Sequence, residues 1–289
     1  MRFANALIGA SPLDLTAIAV AAEEAGFDAV AISDHVVYPE NLTSAYPYTA
    51  DGAPMFSPEA DWPDPWVLVG ALGAVTTRLE FITNVYVLPL RNPFVVAKAV
   101  GTAAYLTGNR VRLGVGAGWM REEFDLLGQP FEKRGARLDE AIEVVRALWG
   151  GGMVEHHGTH FDFDRVEMRP VPTEPVPIYV GGHSEVALRR AARNDGWVGI
   201  YYTVEELEEY CLQLQHIREE LGTADRPFEI VASPLAMPDA ETVDRLAAIG
   251  VTTILTSAWM AAGRLEVSRE EGVELVGQFG ENFIAPLRS

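Results

Sequence analysis

Residues 79–119 read LEFITNVYVLPLRNPFVVAKAVGTAAYLTGNRVRLGVGAGW, and this stretch shows how the chain is built. Two largely apolar runs, 79–87 and 110–116, flank a helical run at 94–107 that follows an Asn-Pro pair. A strand, a helix and a second apolar strand in succession are the repeating unit of a parallel sheet covered on both faces. The stretch therefore predicts one βα unit and the strand that opens the next.

The same alternation continues along the whole chain of 289 residues. The predicted strands lie at 3–8, 27–33, 79–87, 110–116, 177–181, 196–200, 228–233 and 251–256. A helix is predicted after each of them, at 13–25, 64–76, 94–107, 133–149, 184–194, 203–221, 239–249 and 269–280. Eight evenly used units favour closure into a (β/α)8 TIM barrel over an open doubly wound sheet, and the length suits a single domain over 1–289.

Two segments are longer than ordinary connections. Residues 36–63 follow the second strand and are rich in Pro, Gly and aromatic residues, which predicts a lid or substrate loop at the barrel mouth. Residues 150–176 form an insertion between the fourth and fifth strands, and their alternation predicts a small hairpin before a Pro-rich return.

The composition argues against several kinds of partner. There are 22 Lys and Arg against 41 Asp and Glu, and the net charge of -19 repels nucleic acids and anionic membrane surfaces. No export signal or membrane-spanning run is present, and the single cysteine, Cys211, allows no internal disulfide. No metal site is predicted either, because the HHGTH run at 156–160 lacks carboxylate or thiolate ligands at a fixed spacing. We expect a cytoplasmic protein that binds a small molecule.

In a barrel of this kind the C-terminal ends of the strands form the active-site face. Asp34 and His35 end the second predicted strand, and an imidazole beside a carboxylate can act as a general acid or base. A structural alternative stays open, in which Asp34 caps the following segment and His35 packs behind the site.

The third and fourth strands end in a second group of candidates. Thr83 and Asn84 interrupt an apolar run where a polar group can bond a planar ring, and Arg91 is the only cation near this mouth. The next strand ends in GVGAGW, whose glycines let a flat ligand approach while Trp119 stacks on it. Small residues packed inside a barrel would explain the same glycines, and their spacing does not match the dinucleotide-binding GxGxxG.

After the fifth strand, Gly181, Gly182, His183 and Ser184 precede a predicted helix. Backbone N–H groups at the start of a helix bind anions, so this turn is a candidate phosphate site. A tight turn with Ser184 as the helix N-cap explains the same residues without a ligand.

Three parts of the sequence resemble luciferase-like monooxygenases, and in particular their actinobacterial branch of coenzyme F420-dependent oxidoreductases. They are EEAGFDAVAISDHVVYP (23–39), the run 82–119 with the following EEFDLLG, and RGARLDEAIEVVRALW (134–149) with PIYVGGHSEVALRRAARNDGW (177–197). The resemblance implies a (β/α)8 barrel with an insertion between strands 4 and 5, a homodimer, and a non-prolyl cis peptide between Asn84 and Val85.

The resemblance also implies a role for each candidate residue. Asp34 and His35 would face the cofactor ring and the substrate, and Asn84 and Val85 would lie behind the ring. The cofactor side chain would be lined by Gly116, Ala117, Gly118 and Trp119, and its phosphate would be bound by Gly181, Gly182, His183 and Ser184. Trp119 stands where the family's sugar-phosphate dehydrogenases carry an acidic residue. This difference favours an apolar substrate under the loop aromatics Tyr38, Tyr46, Tyr48, Phe56 and Trp62.

We therefore predict an oxidoreductase that transfers a hydride between coenzyme F420 and a small organic substrate, with His35 donating or accepting the proton. An FMN-dependent monooxygenase and a flavin-binding protein without turnover remain alternatives, because both cofactors share a tricyclic ring, a ribityl chain and a phosphate. The largely apolar helical runs DPWVLVGALGAV (64–75) and PFVVAKAVGTAAYL (93–106) also predict a homodimer.

Overall fold

A ring of parallel strands closes into a barrel in the computed structural model, which describes residues 1–288. The strands are β1 (Arg2–Ala6), β2 (Ala29–Ile32), β3 (Glu80–Thr83), β4 (Tyr86–Val87), β5 (Val111–Gly116), β6 (Val154–His157), β7 (Asp162–Val166), β8 (Ile178–Gly181), β9 (Gly196–Tyr202), β10 (Glu229–Pro234) and β11 (Thr253–Thr256). β1 pairs with β2 and β11, and β3 pairs with β5, so the ring is complete. β3 and β4 together occupy one strand position of the ring, which therefore has eight positions. The predicted (β/α)8 barrel is confirmed.

Helices cover the outside of the ring. They are α1 (Leu15–Glu24), α2 (Pro65–Val75), α3 (Pro93–Thr107), α4 (Arg121–Leu126), α5 (Arg134–Trp149), α6 (Glu185–Arg193), α7 (Val204–Glu220), α8 (Ala240–Ala248), α9 (Ala258–Ala261), α10 (Arg269–Phe279) and α11 (Ala285–Arg288). α4 and α9 were not predicted, because helices of six and four residues are too short to show a helical period. Within residues 1–288, no helix is long and apolar enough to cross a membrane.

The insertion between the fourth and fifth barrel strands contains the antiparallel pair β6–β7. The Glu140 carboxylate of α5 fixes this pair by accepting hydrogen bonds from the backbone amides of His160 and Phe161, at 2.9 and 2.7 Å. His156 Nε2 lies 3.3 Å from the same carboxylate. The HHGTH run is therefore tied to the barrel by its contacts with α5.

The third strand was predicted over 79–87, and in the structure it is divided into β3 and β4. Ile82 pairs with Arg112 and Tyr86 pairs with Val115, so the third strand uses four steps where β5 uses three. One extra residue must therefore bulge between β3 and β4. The peptide bond between Asn84 and Val85 in this bulge is cis, as the family resemblance implied.

The barrel has two apolar layers. A large layer lies between the strands and the helices, and a smaller one fills the inside of the ring. The inner layer is built largely from alternate residues of the strands, Ala4, Ala29, Ala31, Ile82, Tyr179, Val198, Val231 and Leu255. Because the interior is filled with side chains, a ligand can reach only the two ends of the barrel, and the C-terminal end is the one over which residues 36–63 lie.

Candidate active site

His35 follows β2 and lies inside a cage of aromatic rings. Its ring centroid is 4.8 Å from that of Phe56, 4.9 Å from that of Trp62 and 5.9 Å from that of Trp119. Phe56 and Trp62 belong to the segment 36–63, whereas Trp119 follows β5. Only 10% of the His35 side chain is exposed. The folded chain thus brings together residues that are up to 84 positions apart in sequence around one imidazole.

Further aromatic residues of the segment 36–63 extend this cage. Tyr38 contacts Phe56 edge to face at 5.9 Å, and Tyr46 contacts Trp119 at 5.2 Å. Tyr48 lies farther along and contacts the ring of His183 at 5.6 Å. The segment contains no helix or strand, so ring contacts such as these help to place it over the barrel mouth.

Glu123 is a site residue that the sequence analysis missed. Its Oε2 lies 3.1 Å from Nδ1 of His35, and its Oε1 accepts a hydrogen bond from the backbone amide of Val36 at 2.6 Å. An ionised carboxylate only accepts hydrogen bonds, so Nδ1 carries the hydrogen and Nε2 is the ring nitrogen left for chemistry. Glu123 lies on the six-residue helix α4, and no sequence pattern marks that helix as part of the site.

The preceding residue, Glu122, attaches the segment 36–63 at a second point. Its Oε1 accepts hydrogen bonds from the backbone amide and the hydroxyl of Thr43, at 2.7 and 2.6 Å, and from the amide of Ser44 at 3.1 Å. Partial burial acts against ionisation, but the hydrogen bonds from Thr43 and Ser44 lower the pKa of Glu122 to about 2. α4 therefore holds the segment through two adjacent carboxylates.

Asp34 was predicted to face the cofactor and the substrate, and its contacts correct this expectation. Its side chain is only 1% exposed, and its two oxygens accept hydrogen bonds from the Arg91 guanidinium at 2.5 and 2.8 Å. Oδ2 also accepts from the amide of Val87 in β4, at 2.9 Å. Burial raises the pKa of Asp34, whereas the paired Arg91 acts in the opposite direction. Because a buried carboxylate requires such partners, Asp34 holds the ends of β2 and β4 together.

The glycines that end β5 accommodate the chain itself. A Cβ atom on Gly114 would lie 1.9 Å from the carbonyl oxygen of Thr83, and one on Gly116 would lie 2.7 Å from Cγ2 of Val85. A Cβ on Gly181 of β8 would lie 2.8 Å from Cγ1 of the same valine. The packing explanation of the glycines therefore holds, because Thr83 and Val85 occupy the space beside them. Asn84 and Val85 are half-buried, so the bulge presents an apolar surface at the mouth.

The rest of the GVGAGW run and the Arg134 side chain form one wall of the mouth. Ala117, Gly118 and Trp119 are half-buried, and Gly118 has a φ of +85°, which favours glycine. Arg134 Nε donates to the carbonyl oxygen of Gly118 at 2.8 Å. These residues are placed beside the Val85 bulge, where the cofactor side chain was expected.

The loop after β8 combines a cap with a possible anion site. Ser184 accepts a hydrogen bond from the amide of Ala187 at 3.3 Å, so it is the N-cap of α6, as the structural alternative required. Gly182 has a φ of +106°, and the first-turn amides of this nine-residue helix have no partner within the helix. His183 Nδ1 lies 3.0 Å from the hydroxyl of Tyr202. A phosphate would fit the first-turn amides, and a planar ring would fit the apolar surface of Val85.

The chain is similar in sequence to several known proteins. The model of the luciferase-like monooxygenase family matches residues 4–270. An uncharacterized protein of Mycobacterium tuberculosis is 45% identical over 238 residues, 82% of each chain. An F420-dependent glucose-6-phosphate dehydrogenase of Nakamurella multipartita is 33% identical over 267 residues, 91% of this chain and 72% of that one.

Two solved structures illustrate the fold. An F420-dependent secondary alcohol dehydrogenase in complex with an F420-acetone adduct has a TM-score of 0.75 at 18% identity and covers 98% of both chains. A type II Baeyer-Villiger monooxygenase of Pseudomonas putida in complex with FMN has a TM-score of 0.61 at 19% identity, with 86% of this chain and 71% of that one covered. At such low identity these two likenesses show the barrel fold alone.

Proposed function

The chain belongs to the luciferase-like monooxygenase family and is an oxidoreductase, and from this premise we propose that it transfers a hydride between coenzyme F420 and a small apolar organic substrate. The observation that carries the proposal is the caged His35, whose Nδ1 is bonded to Glu123 so that Nε2 remains for proton transfer. The relatives named F420-dependent support the choice of cofactor.

The residues at the barrel mouth have separate roles in the proposed reaction. When bound, the deazaflavin supplies a ring carbon that gives or takes a hydride. In the reductive direction, Nε2 of His35 delivers a proton to the substrate atom that receives the electron pair of the broken double bond. In the oxidative direction, the same nitrogen accepts that proton. Glu123 stabilises the positive charge on the ring while it is protonated, as a carboxylate bonded to the far nitrogen does in other enzymes.

The remaining residues orient the reactants and exclude water. Val85 supports the cofactor ring, and the ion pair of Asp34 with Arg91 fixes the strand ends that carry His35 and the bulge. We propose that the segment 36–63 acts as a lid, since Phe56 and Trp62 cover His35. The rings that surround the imidazole are uncharged, which suits an apolar substrate better than a sugar phosphate.

Replacement of Glu123 by glutamine tests the positioning role of this carboxylate. If the amide oxygen keeps the hydrogen bond from Val36, the NH2 group faces Nδ1 of His35 and forces the hydrogen onto Nε2. We expect kcat to fall by about tenfold or more, while KM and the cofactor Kd change by less than about threefold.

Steady-state kinetics and cofactor titration on the Glu123→Gln variant separate the two parameters. Glu122→Gln is the matched control, because it changes the neighbouring carboxylate that contacts the lid but not His35. A normal kcat in Glu123→Gln, or an equal fall in the control, would contradict the positioning role.

Cofactor choice is tested by titrating the purified protein with F420 and with FMN. We expect tighter binding of F420. Equal or tighter binding of FMN, with oxygen consumed in the presence of reduced FMN, would instead support the second candidate, an FMN-dependent monooxygenase, which the same water-excluding cage would suit. Binding of either cofactor without turnover on a broad panel of substrates would indicate a flavin-binding protein.

We also propose a homodimer formed through α2 and α3. These helices pack side by side and leave large apolar side chains exposed, including Val67 at 76%, Val95 at 64% and Leu106 at 71%. Small residues along α2, Gly70, Ala71 and Ala74, are exposed on the same face and permit close approach of a second copy.

The dimer is tested by Val67→Arg, with Leu212→Arg on α7 as the control at a similarly exposed site. A buried, unpaired charge at an interface is costly, so we expect Val67→Arg to give a monomeric mass by light scattering. The wild type and the control should remain dimeric. A monomeric wild type at micromolar concentration would contradict this proposal.

A further inference from the structure

A second cleft opens beside the aromatic cage, between the lid and the start of α7. Its volume is about 320 Å³. One wall consists of lid residues 47–50. The others are formed by His183, which follows β8, by Tyr201 and Tyr202 at the end of β9, and by Glu206 and Tyr210 of α7. Tyr48 is shared with the aromatic residues that extend the cage around His35.

The groups that line this cleft are almost all uncharged hydrogen-bonding groups. Four of them are tyrosines, and burial raises the pKa of one, Tyr48, to about 12, so its hydroxyl stays neutral. His183 joins them through its contact with the Tyr202 hydroxyl. No lysine or arginine lines the cleft, and Glu206 is its one acidic side chain.

Within residues 1–288, Glu206 forms no ion pair. On α7 the neighbouring Glu205 and Glu208 pair with Arg245, at 3.4 and 2.5 Å, whereas Glu206 accepts a hydrogen bond from the amide of Thr203 at 2.8 Å. This bond belongs to a capping box, so the carboxylate is fixed at the first turn of the helix. Glu206 therefore gives the lining of the cleft an acidic side chain without an ion-pair partner, in a chain whose net charge is already -19.

The cleft lies beside the candidate phosphate site, because His183 belongs both to the loop after β8 and to the lining of the cleft. A cofactor whose phosphate lies at the start of α6 would extend from there into the cleft. Coenzyme F420 continues beyond its phosphate into a chain of glutamates, and each added glutamate adds a carboxylate.

Resting on the proposed function, we propose that this tyrosine-lined cleft receives the part of the deazaflavin cofactor beyond its phosphate and selects against a long glutamate tail. The tyrosine hydroxyl groups can hydrogen-bond the uncharged groups of the cofactor close to its phosphate. Glu206 repels each further carboxylate of the tail that approaches. A cofactor with no glutamate or a single one then binds more tightly than a form with many.

The experiment is a fluorescence titration of the purified protein with two deazaflavin preparations, one without glutamate and one with a long tail. At about 20 mM salt we expect the tail-free form to bind about threefold or more tightly, and the difference to shrink at about 500 mM salt. Glu206→Gln keeps the capping box, because glutamine serves at the same position, and should reduce the difference at low salt. Glu143→Gln, on α5 and outside the lining, should leave it unchanged.

Equal affinities at low salt, or tighter binding of the long-tailed form, would overturn the tail selection. An unchanged difference in Glu206→Gln would show that this carboxylate does not cause it, and would also overturn the proposal. A protein that binds neither preparation would contradict the proposed function itself, which is a different result from binding that ignores tail length.

Discussion

Replacement of His35 by alanine should lower turnover by about 100- to 10,000-fold, the range typical for loss of a general acid or base. Cofactor affinity should change little, because the ring is proposed to lie on Val85 and the phosphate at the start of α6. Stability should fall by no more than about 1 to 3 kcal/mol, because the imidazole is only 10% exposed and its removal leaves a cavity in the cage. Glu123 keeps its hydrogen bonds from the amides of Val36 and Val37, so its carboxylate is not left without partners.

Thermal melting, cofactor titration and turnover of the His35→Ala variant together test the catalytic role of His35. If His35 were only a packed structural residue, this loss of stability would be the sole effect, and turnover per folded molecule would stay normal. A large fall in melting temperature with normal turnover per folded molecule would refute the catalytic role. Phe56→Leu is a useful companion variant, since it disturbs the cage without touching the imidazole nitrogens.

Gly114→Ala should destabilise the barrel by about 2 to 4 kcal/mol, the largest stability effect that we predict for a single added methyl group. The new Cβ would lie 1.9 Å from the carbonyl oxygen of Thr83, which is backbone and therefore cannot rotate away. The β3–β4 bulge would have to move, and cofactor binding should weaken with it because Val85 is part of that bulge.

Urea unfolding of Gly114→Ala and of a control, Gly277→Ala, measures this effect. Gly277 lies in α10 with no atom near its added Cβ, so alanine there should stabilise the protein by about 0.5 to 1 kcal/mol. If Gly114→Ala unfolded within about 0.5 kcal/mol of the wild type, the bulge would not be fixed by these glycines.

Much of the fold follows from local sequence. The alternation of apolar strands with helical runs predicted the barrel, and Asn92 before Pro93 marked the start of α3, where the Asn92 side chain accepts a hydrogen bond from the amide of Phe94. These features depend on neighbouring residues. The break between β3 and β4 does not, because it appears only when the third strand is aligned with β5.

The site was predicted less completely, for a related reason. Position at a strand end identified His35, but neither Glu123 nor the pairing of Asp34 with Arg91 could be derived from spacing. Glu123 is 88 residues from His35, and Arg91 is 57 residues from Asp34. The glycines of β5 are evident in the sequence, but only the folded structure shows that Thr83 and Val85 occupy the space beside them.

The most direct test of the central claim is isotope transfer under strictly anaerobic conditions. The protein is supplied with coenzyme F420 reduced with deuterium at its hydride-carrying carbon and with a panel of ketones, aldehydes and activated alkenes. Hydride transfer predicts a reduced product that contains one deuterium from the cofactor and forms without oxygen. A product that forms only with reduced FMN and oxygen, contains an atom of labelled oxygen and carries no deuterium would contradict it.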